Sequence, residues 1–414
     1  MTTIAAVQGA ERFPAWSVFG AVLAAAGLPI YISAPKFYAD SFGVSLATLG
    51  ALLFALRLFD VVQDPVLGWL AERLGTRAKR LAVAISGAAM AAAMVALFGV
   101  TPPVAPLWWF ALTVTVLFTA YSFLTIAFYA QGVARGAATP DGHVRLAAWR
   151  ETGSLLGVCL AAVAPTLLLG LTDRPFAAFA WGFAAATLAA LLLMAPEWSA
   201  TERTAPMPMG RILADPPARR LLILALVNAT PLAVTSTLFL FFVETRLAAP
   251  GWEGPLLLLF FLSAAAAAPL WAIAARRWGS KAALLSAMVL AIITFAWAAT
   301  LGAGDIAPFA AICILSGATI GADLTLLPAA FARRMAVISP NGGAGFGLWG
   351  LMNKFTLAFA AVTLLPLLES SGFTSGTGTQ PAAALTTLTV LYALVPSALK
   401  LLAIALLALT RLED

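Results

Sequence analysis

Apolar runs of about twenty residues recur along the whole 414-residue chain, separated by short polar loops. A helical run of that length spans the hydrocarbon core of a bilayer, about 30 Å thick. Inside that core every backbone N–H and C=O needs a partner, and a helix supplies them within one segment. The pattern predicts twelve spans, at roughly 14–38, 45–71, 81–101, 106–133, 147–170, 176–195, 220–244, 254–275, 282–302, 307–332, 346–368 and 384–410. The expected fold is therefore an all-α membrane protein. Only 10% of residues are charged, against about 25% in soluble domains. The first span lacks a signal-peptide cleavage pattern and reads as a retained helix.

The formal net charge of +6 invites a nucleic-acid partner, but its distribution argues against one. Basic residues crowd every second loop: Arg73, Arg77, Lys79 and Arg80, then Arg135 and Arg145, Arg203, Arg211, Arg219 and Arg220, Arg276, Arg277 and Lys281, and Arg333 and Arg334. The opposite loops hold only Arg174 and Arg246, fifteen cations against two. That asymmetry places both termini in the cytoplasm, with Arg12 and Arg411 in agreement, and fits a bacterial inner membrane. The longest basic connection divides the chain into a six-helix bundle over 1–195, a linker over 196–219 and a second bundle over 220–414. Cys159 and Cys313 fall inside spans and read as packing residues. The single histidine, His143, falls in a polar loop and reads as solvated.

The two halves repeat. The segment from Pro65 through Arg77 aligns without a gap on that from Pro269 through Lys281, at an offset of 204 residues. Proline, alanine, arginine, glycine, a hydroxyl residue and a cation recur in register. Parallel halves of this kind are a transporter architecture. The same offset maps Arg150 onto Lys354, but it maps Asp60 and Asp64 onto Ala264 and Ala268, and Arg57 onto Phe261. The acids belong to one half alone, so the packing of the repeat does not require them.

Asp60 and Asp64 stand at i and i+4 within the second span and share a helix face. A charge at bilayer depth costs at least about 2.5 kcal/mol, which marks an intramembrane acid as a functional candidate. Held together, the two repel unless a cation or proton joins them or Arg57 compensates one. Arg57 is expected mainly as a structural partner of Asp60. Arg150 faces a shared central cavity or pairs with Glu151. Lys354 has no acid within a turn and is expected in the cavity. Asp323 serves coupling or packs against a residue such as Asn353, and Lys400 snorkels to the membrane edge. Asn228, Thr230, Thr235 and Ser236, around Pro231, make the seventh span polar and breakable.

The run Gly68-Trp69-Leu70-Ala71-Glu72-Arg73-Leu74-Gly75-Thr76-Arg77 resembles the loop signature of the major facilitator superfamily, whose acid and arginines (here Glu72, Arg73 and Arg77) can latch neighbouring helix ends. A narrower resemblance rests on Lys36-Phe37-Tyr38-Ala39-Asp40, Arg57-Leu58-Phe59-Asp60, Asp64-Pro65, Tyr121 through Tyr129, Arg150 with Ser154 and Gly157, Gly321-Ala322-Asp323-Leu324, and Gly347-Leu348-Trp349 through Lys354. These are similar to the glycoside–pentoside–hexuronide:cation symporters, the family of the melibiose permease.

The resemblance implies two six-helix bundles and a coupling-cation site at Asp60, Gln63, Asp64 and Ser122. Oxygen ligands suit Na⁺ there, and a carboxylate can instead take H⁺. Melibiose-type members bind sugar through aspartates on helices one and four; here those positions fall near Ala24 and at Thr125. With Arg150 and Lys354 retained, an acidic solute such as a uronate is the expectation. Tyr121, Tyr129, Trp149 and Trp349 are candidates to stack on a sugar ring.

The expected function is cation-coupled symport of a sugar, sugar acid or related solute by alternating access, with no cofactor beyond Na⁺ or H⁺. The expected partners are the solute, the cation and the bilayer, with the protein a monomer. The alternatives are an uncoupled facilitator, a carrier of an amphipathic anion such as a lysolipid, and a non-transporting membrane receptor. An enzyme is not expected: the chain carries neither a His-Glu-x-x-His zinc element nor a Gly-x-Ser-x-Gly nucleophile elbow.

Overall fold

The computed structural model describes residues 13–28, 33–137, 141–168, 171–198, 207–373 and 380–410. Arg12, Arg203 and Arg411, three of the cations used above, lie outside them. The first half contains α1 (Phe13–Leu28), α2 (Ala34–Phe42), α3 (Leu46–Arg73), α4 (Thr76–Phe98), α5 (Pro106–Gly136), α6 (Gly142–Leu168) and α7 (Pro175–Met194). A short α8 (Met209–Ala214) lies in the connection. The second half contains α9 (Pro216–Phe241), α10 (Glu253–Trp278), α11 (Ser280–Ala298), α12 (Ile306–Ile338), α13 (Gly343–Ser370), α14 (Ala382–Thr389) and α15 (Val395–Leu409). π-helical turns extend α9 and join α14 to α15.

Ten helices among the described residues are long and apolar enough to cross a membrane. The expected second span is α3, whose 28 residues rise about 42 Å and carry the intramembrane acids. The expected first span consists of α1 followed by α2.

Local chemistry explains several boundaries. Asp215 caps α9, its Oδ1 accepting from Ala218 N at 2.9 Å, and Pro216 follows at the first helical position, where no N–H is needed. The seventh span thus begins four residues before the expected 220. Despite Pro231, α9 runs unbroken, and Thr230 and Thr235 donate to the carbonyls of Leu226 and Pro231. These two threonines act locally, and the span is not broken.

The repeat survives in three dimensions. α3 passes to α4 through Gly75, and α10 to α11 through Gly279. Across the interface between halves, α3 packs on α13 and α6 on α10, partners that the repeat exchanges. Ala264 and Ala268 are fully buried. Gly321 of α12 packs there so closely that a Cβ on it would lie 2.8 Å from Ala264 O. Where the first half keeps acids, the second uses the space for a tight helix contact, the packing available to small residues in lipid.

The halves meet firmly at the end bearing the basic loops. Gly68 of α3 and Gly343 of α13 lie back to back; a Cβ on Gly68 would meet Gly343 O at 2.5 Å. Glu72 Oε1 accepts from Ser339 Oγ at 3.2 Å and from Ala344 N at 2.9 Å. Tyr129 of α5 and Phe346 of α13 touch rings at 5.2 Å. This end is therefore closed. His143, expected to be solvated, is instead buried in the first turn of α6 against Gly136.

Candidate functional site

Asp60 and Asp64 point away from lipid, at 1% and 2% exposure. α3 presents them on one face, and Lys354 reaches them from α13. Its Nζ stands 2.9 Å from Asp60 Oδ2 and 2.8 Å from Asp64 Oδ1, and it lies 2.7 Å from Ser122 Oγ. Ser122 donates to Asp60 Oδ1 at 2.7 Å. Gln63 Nε2 donates to the same oxygen at 2.9 Å, while Gln63 Oε1 accepts from Thr119 Oγ1 at 3.1 Å. The Arg57 guanidinium is more distant, 3.7 Å from Asp60 Oδ2. The four residues proposed for a cation are thus gathered at one place. The main partner of the acids is not the neighbouring arginine but a lysine 290 residues away.

This cluster forms one wall of a cavity of about 250 Å³, lined by Arg57, Asp64, Tyr121, Thr125, Tyr129, Trp349 and Lys354 among others. Of the expected solute contacts, Tyr121, Thr125, Tyr129, Trp349 and Lys354 meet there. Two do not. Arg150 is buried behind Tyr129, its Nε bonded to Glu151 Oε1 at 2.8 Å and its guanidinium 3.6 Å above the Tyr129 ring. Tyr129 Oη also donates to Glu151. Adjacent Glu151 thus captures the arginine, the alternative left open by the sequence. Trp149 is 44% exposed and stacks on Phe13 instead.

The two cations expected to attract an acidic solute are thus already answered, Arg150 by Glu151 and Lys354 by two aspartates.

A second cavity, of about 360 Å³, adjoins the first at Asn353 and Leu357. Its walls are largely aromatic and aliphatic, with Phe239, Phe260, Phe261, Phe295, Phe309 and Tyr392 from the second half. The central space thus has a polar compartment on the first bundle and an apolar one on the second. Hydrophobic periodicity could not disclose this, because cavity-lining and lipid-facing aromatics look alike in sequence.

The remaining expected residues separate. Glu72 bonds Ser339 and Ala344 at the closed end, Arg73 lies 3.7 Å over the Trp69 ring, and Arg77 is exposed. Asp323 does not bond Asn353. It pairs instead with Lys400, which is buried at 6% exposure and does not snorkel.

The family described as MFS/sugar transport protein matches residues 15–414. The chain belongs to this family. It is a multi-pass membrane transporter of the major facilitator type. Among solved structures it is similar to a bacterial homologue of the iron transporter ferroportin in its outward-facing state, with TM-score 0.72, 14% identity, and 96% of this chain and 98% of that one covered. It is also similar to the human organic anion transporter MFSD10 (TETRAN), with TM-score 0.65, 18% identity, and 96% and 99% covered. At those identities the likeness concerns the fold. No curated protein matches significantly.

Proposed function

We propose that this transporter is a cation-coupled symporter of a small solute with a polar end and an apolar body. The supporting observation is the position of Lys354: an ammonium of the second bundle sits between two buried carboxylates of the first. Alternating access requires the bundles to move against each other, and that motion withdraws Lys354 from the acids. Asp64 is then left without a cation and Asp60 keeps only the more distant Arg57, and a desolvated carboxylate without a partner costs several kcal/mol. A Na⁺ or proton arriving at Asp60 and Asp64, with Ser122 and Gln63 beside them, removes that cost. Coupling follows because the motion is accessible only when a mobile cation replaces the fixed one.

The divided cavity supports the solute class: hydroxyls and charge on one side, aromatic walls on the other. A sugar joined to an apolar group fits, as does an amphipathic solute of other chemistry. The basic-loop end is the cytoplasmic one in this reading, by loop charge.

An uncoupled facilitator is the competing reading, favoured by the neutralisation already present around Asp60. Uptake into proteoliposomes of a radiolabelled panel of sugars, glycosides and organic anions, under an imposed Na⁺ or H⁺ gradient, separates the two. Gradient-driven accumulation that Asp64→Asn abolishes supports coupling. Exchange without accumulation, unchanged in Asp60→Asn and Asp64→Asn, overturns it.

A further inference from the structure

A second charged cluster lies within the second bundle, apart from the Asp60 site. Lys400 of α15 donates to Asp323 Oδ2 at 2.5 Å and to Asn228 Oδ1 of α9 at 2.7 Å. All three residues are at least nine-tenths buried. They line a small cavity of about 40 Å³ that adjoins the apolar compartment, sharing Leu232, Thr235, Phe260, Phe295, Ser316 and Ile320 with it. Two features of the cluster point to a ligand. Asp323 Oδ1 is buried and has no hydrogen-bond partner. Lys400 carries three donors, of which Asp323 and Asn228 take two.

The chemistry of the lining narrows that ligand. Thr235, Ser316, Thr319 and Ser397 all donate their hydroxyl protons to carbonyls of their own helices. They therefore present only lone pairs to a visitor, alongside Asp323 Oδ1. The Lys400–Asp323 pair is neutral. A charged visitor of either sign would leave an uncompensated charge in a buried site, at several kcal/mol. A neutral hydroxyl needs only about 1–3 kcal/mol of desolvation, and it donates to Asp323 Oδ1 while accepting from the third N–H of Lys400. The volume admits a group the size of a water or hydroxymethyl. A solute hydroxyl that replaces a water here keeps that water's bonds.

We infer that Asp323, Lys400 and Asn228 form a subsite for a neutral hydroxyl of the transported solute, at the far end of the apolar compartment. This rests on the proposed solute class and adds a second polar anchor to it, one contributed entirely by the bundle that lacks the coupling acids. The solute therefore carries a hydroxyl beyond its apolar body.

The test uses the full-length protein in lipid nanodiscs at saturating NaCl. Calorimetry measures binding of a panel of 4-(hydroxymethyl)phenyl hexosides and pentosides, and of the matching 4-methylphenyl glycosides, which keep the sugar and the ring and lack only the hydroxyl beyond it. At least one hydroxymethyl compound is expected to bind the wild type at least about tenfold more tightly than its methyl counterpart, the scale of hydrogen bonds to charged groups. Asp323→Leu/Lys400→Met replaces the pair by apolar groups, an exchange that buried pairs tolerate far better than loss of one partner. It should erase the preference for the hydroxymethyl compound while binding the methyl counterpart as before. Absence of any preference in the wild type, or its retention in the double variant, overturns the subsite. The coupling reading is checked separately by the Na⁺ dependence of glycoside binding in Asp64→Asn. No hydroxyl preference in the wild type, with a Na⁺ dependence that Asp64→Asn removes, refutes the subsite alone; a preference that the double variant erases, with binding indifferent to Na⁺ in wild type and Asp64→Asn alike, refutes coupling alone.

Discussion

Replacing Lys354 with methionine removes one ammonium from two carboxylates and keeps most of the side-chain volume. At 2.8–2.9 Å, each contact is worth about 6 kcal/mol of Coulomb energy at an effective dielectric of about 20. Most of that gross attraction offsets the desolvation of the charges, and breaking a buried pair costs about 3–5 kcal/mol net. Lys354→Met should therefore melt several degrees below the wild type in choline chloride at pH 8, where neither Na⁺ nor protons are abundant. Mobile cations should then restore what the lysine supplied. A ligand at 100 times its Kd contributes about 2.7 kcal/mol, so NaCl or a lower pH should raise the melting temperature of the variant more than that of the wild type. Intrinsic tryptophan fluorescence during heating reads both quantities, and the arm that rescues identifies the cation. Asp60→Asn/Asp64→Asn in the Lys354→Met background should abolish the extra rescue. Equal melting of variant and wild type in choline, or rescue that ignores Na⁺ and protons alike, would refute the argument that Lys354 holds the place of a coupling cation.

The latch at the closed end gives a second expectation. Glu72→Gln weakens two bonds to Ser339 and Ala344, each worth about 1.5–3 kcal/mol as a charge-assisted contact. A Thr125→Cys thiol in the cavity should then react faster with an impermeant maleimide applied from the basic-loop side, and unchanged labelling would speak against a gating role. At Gly350, a Cβ would meet Asp64 Oδ2 at 2.5 Å; Gly350→Ala should therefore weaken or reset the α3–α13 contact, lowering both thermal stability and uptake. Hydrogen bonding from Arg334 is the main influence holding the Asp215 carboxyl below its ordinary value of 3.8. A depressed folded value stabilises above the unfolded one, so the melting difference between wild type and Asp215→Asn should persist at pH 7, shrink as pH falls past about 3.8 and vanish only below the lower folded value.

Much of this architecture was legible in the residues. Hydropathy disclosed the spans, loop charge grouped the basic ends, and the 204-residue offset of the Pro65/Pro269 repeat also relates the α3–α13 packing to the α6–α10 packing. Spacing and resemblance together grouped Asp60, Gln63, Asp64 and Ser122, and the fold brings these four side chains to one place. The partners of the charges were not legible, because sequence reports neighbours within a turn, whereas bundles pair groups hundreds of residues apart. Lys354 had no acid nearby in sequence, and the second span held one acid more than Arg57 could match, so the surplus charges belonged together. Asp323 and Lys400 were likewise lone opposite charges in spans of one half. Arg150 took the nearer of its two options, the adjacent Glu151, and not the cavity that its symmetry with Lys354 suggested.

That symmetry has a functional reading of its own. Two halves built on one scaffold would be expected to distribute charge alike, yet the acids of α3 face alanines at the equivalent positions of α10, while the cation that answers them comes from α13. Placing acids and ammonium in one bundle would make a static pair, indifferent to rocking. Dividing them across the interface makes the electrostatic energy a function of bundle position, because separation of the halves is separation of the charges. The Lys400–Asp323 pair is the internal contrast. Both members belong to the second bundle and move together, so bundle motion leaves that pair intact and free to keep its hold on a solute throughout the cycle. Only the divided pair can register the conformational step, and for that reason cation dependence should follow Asp60, Asp64 and Lys354 and not Asp323.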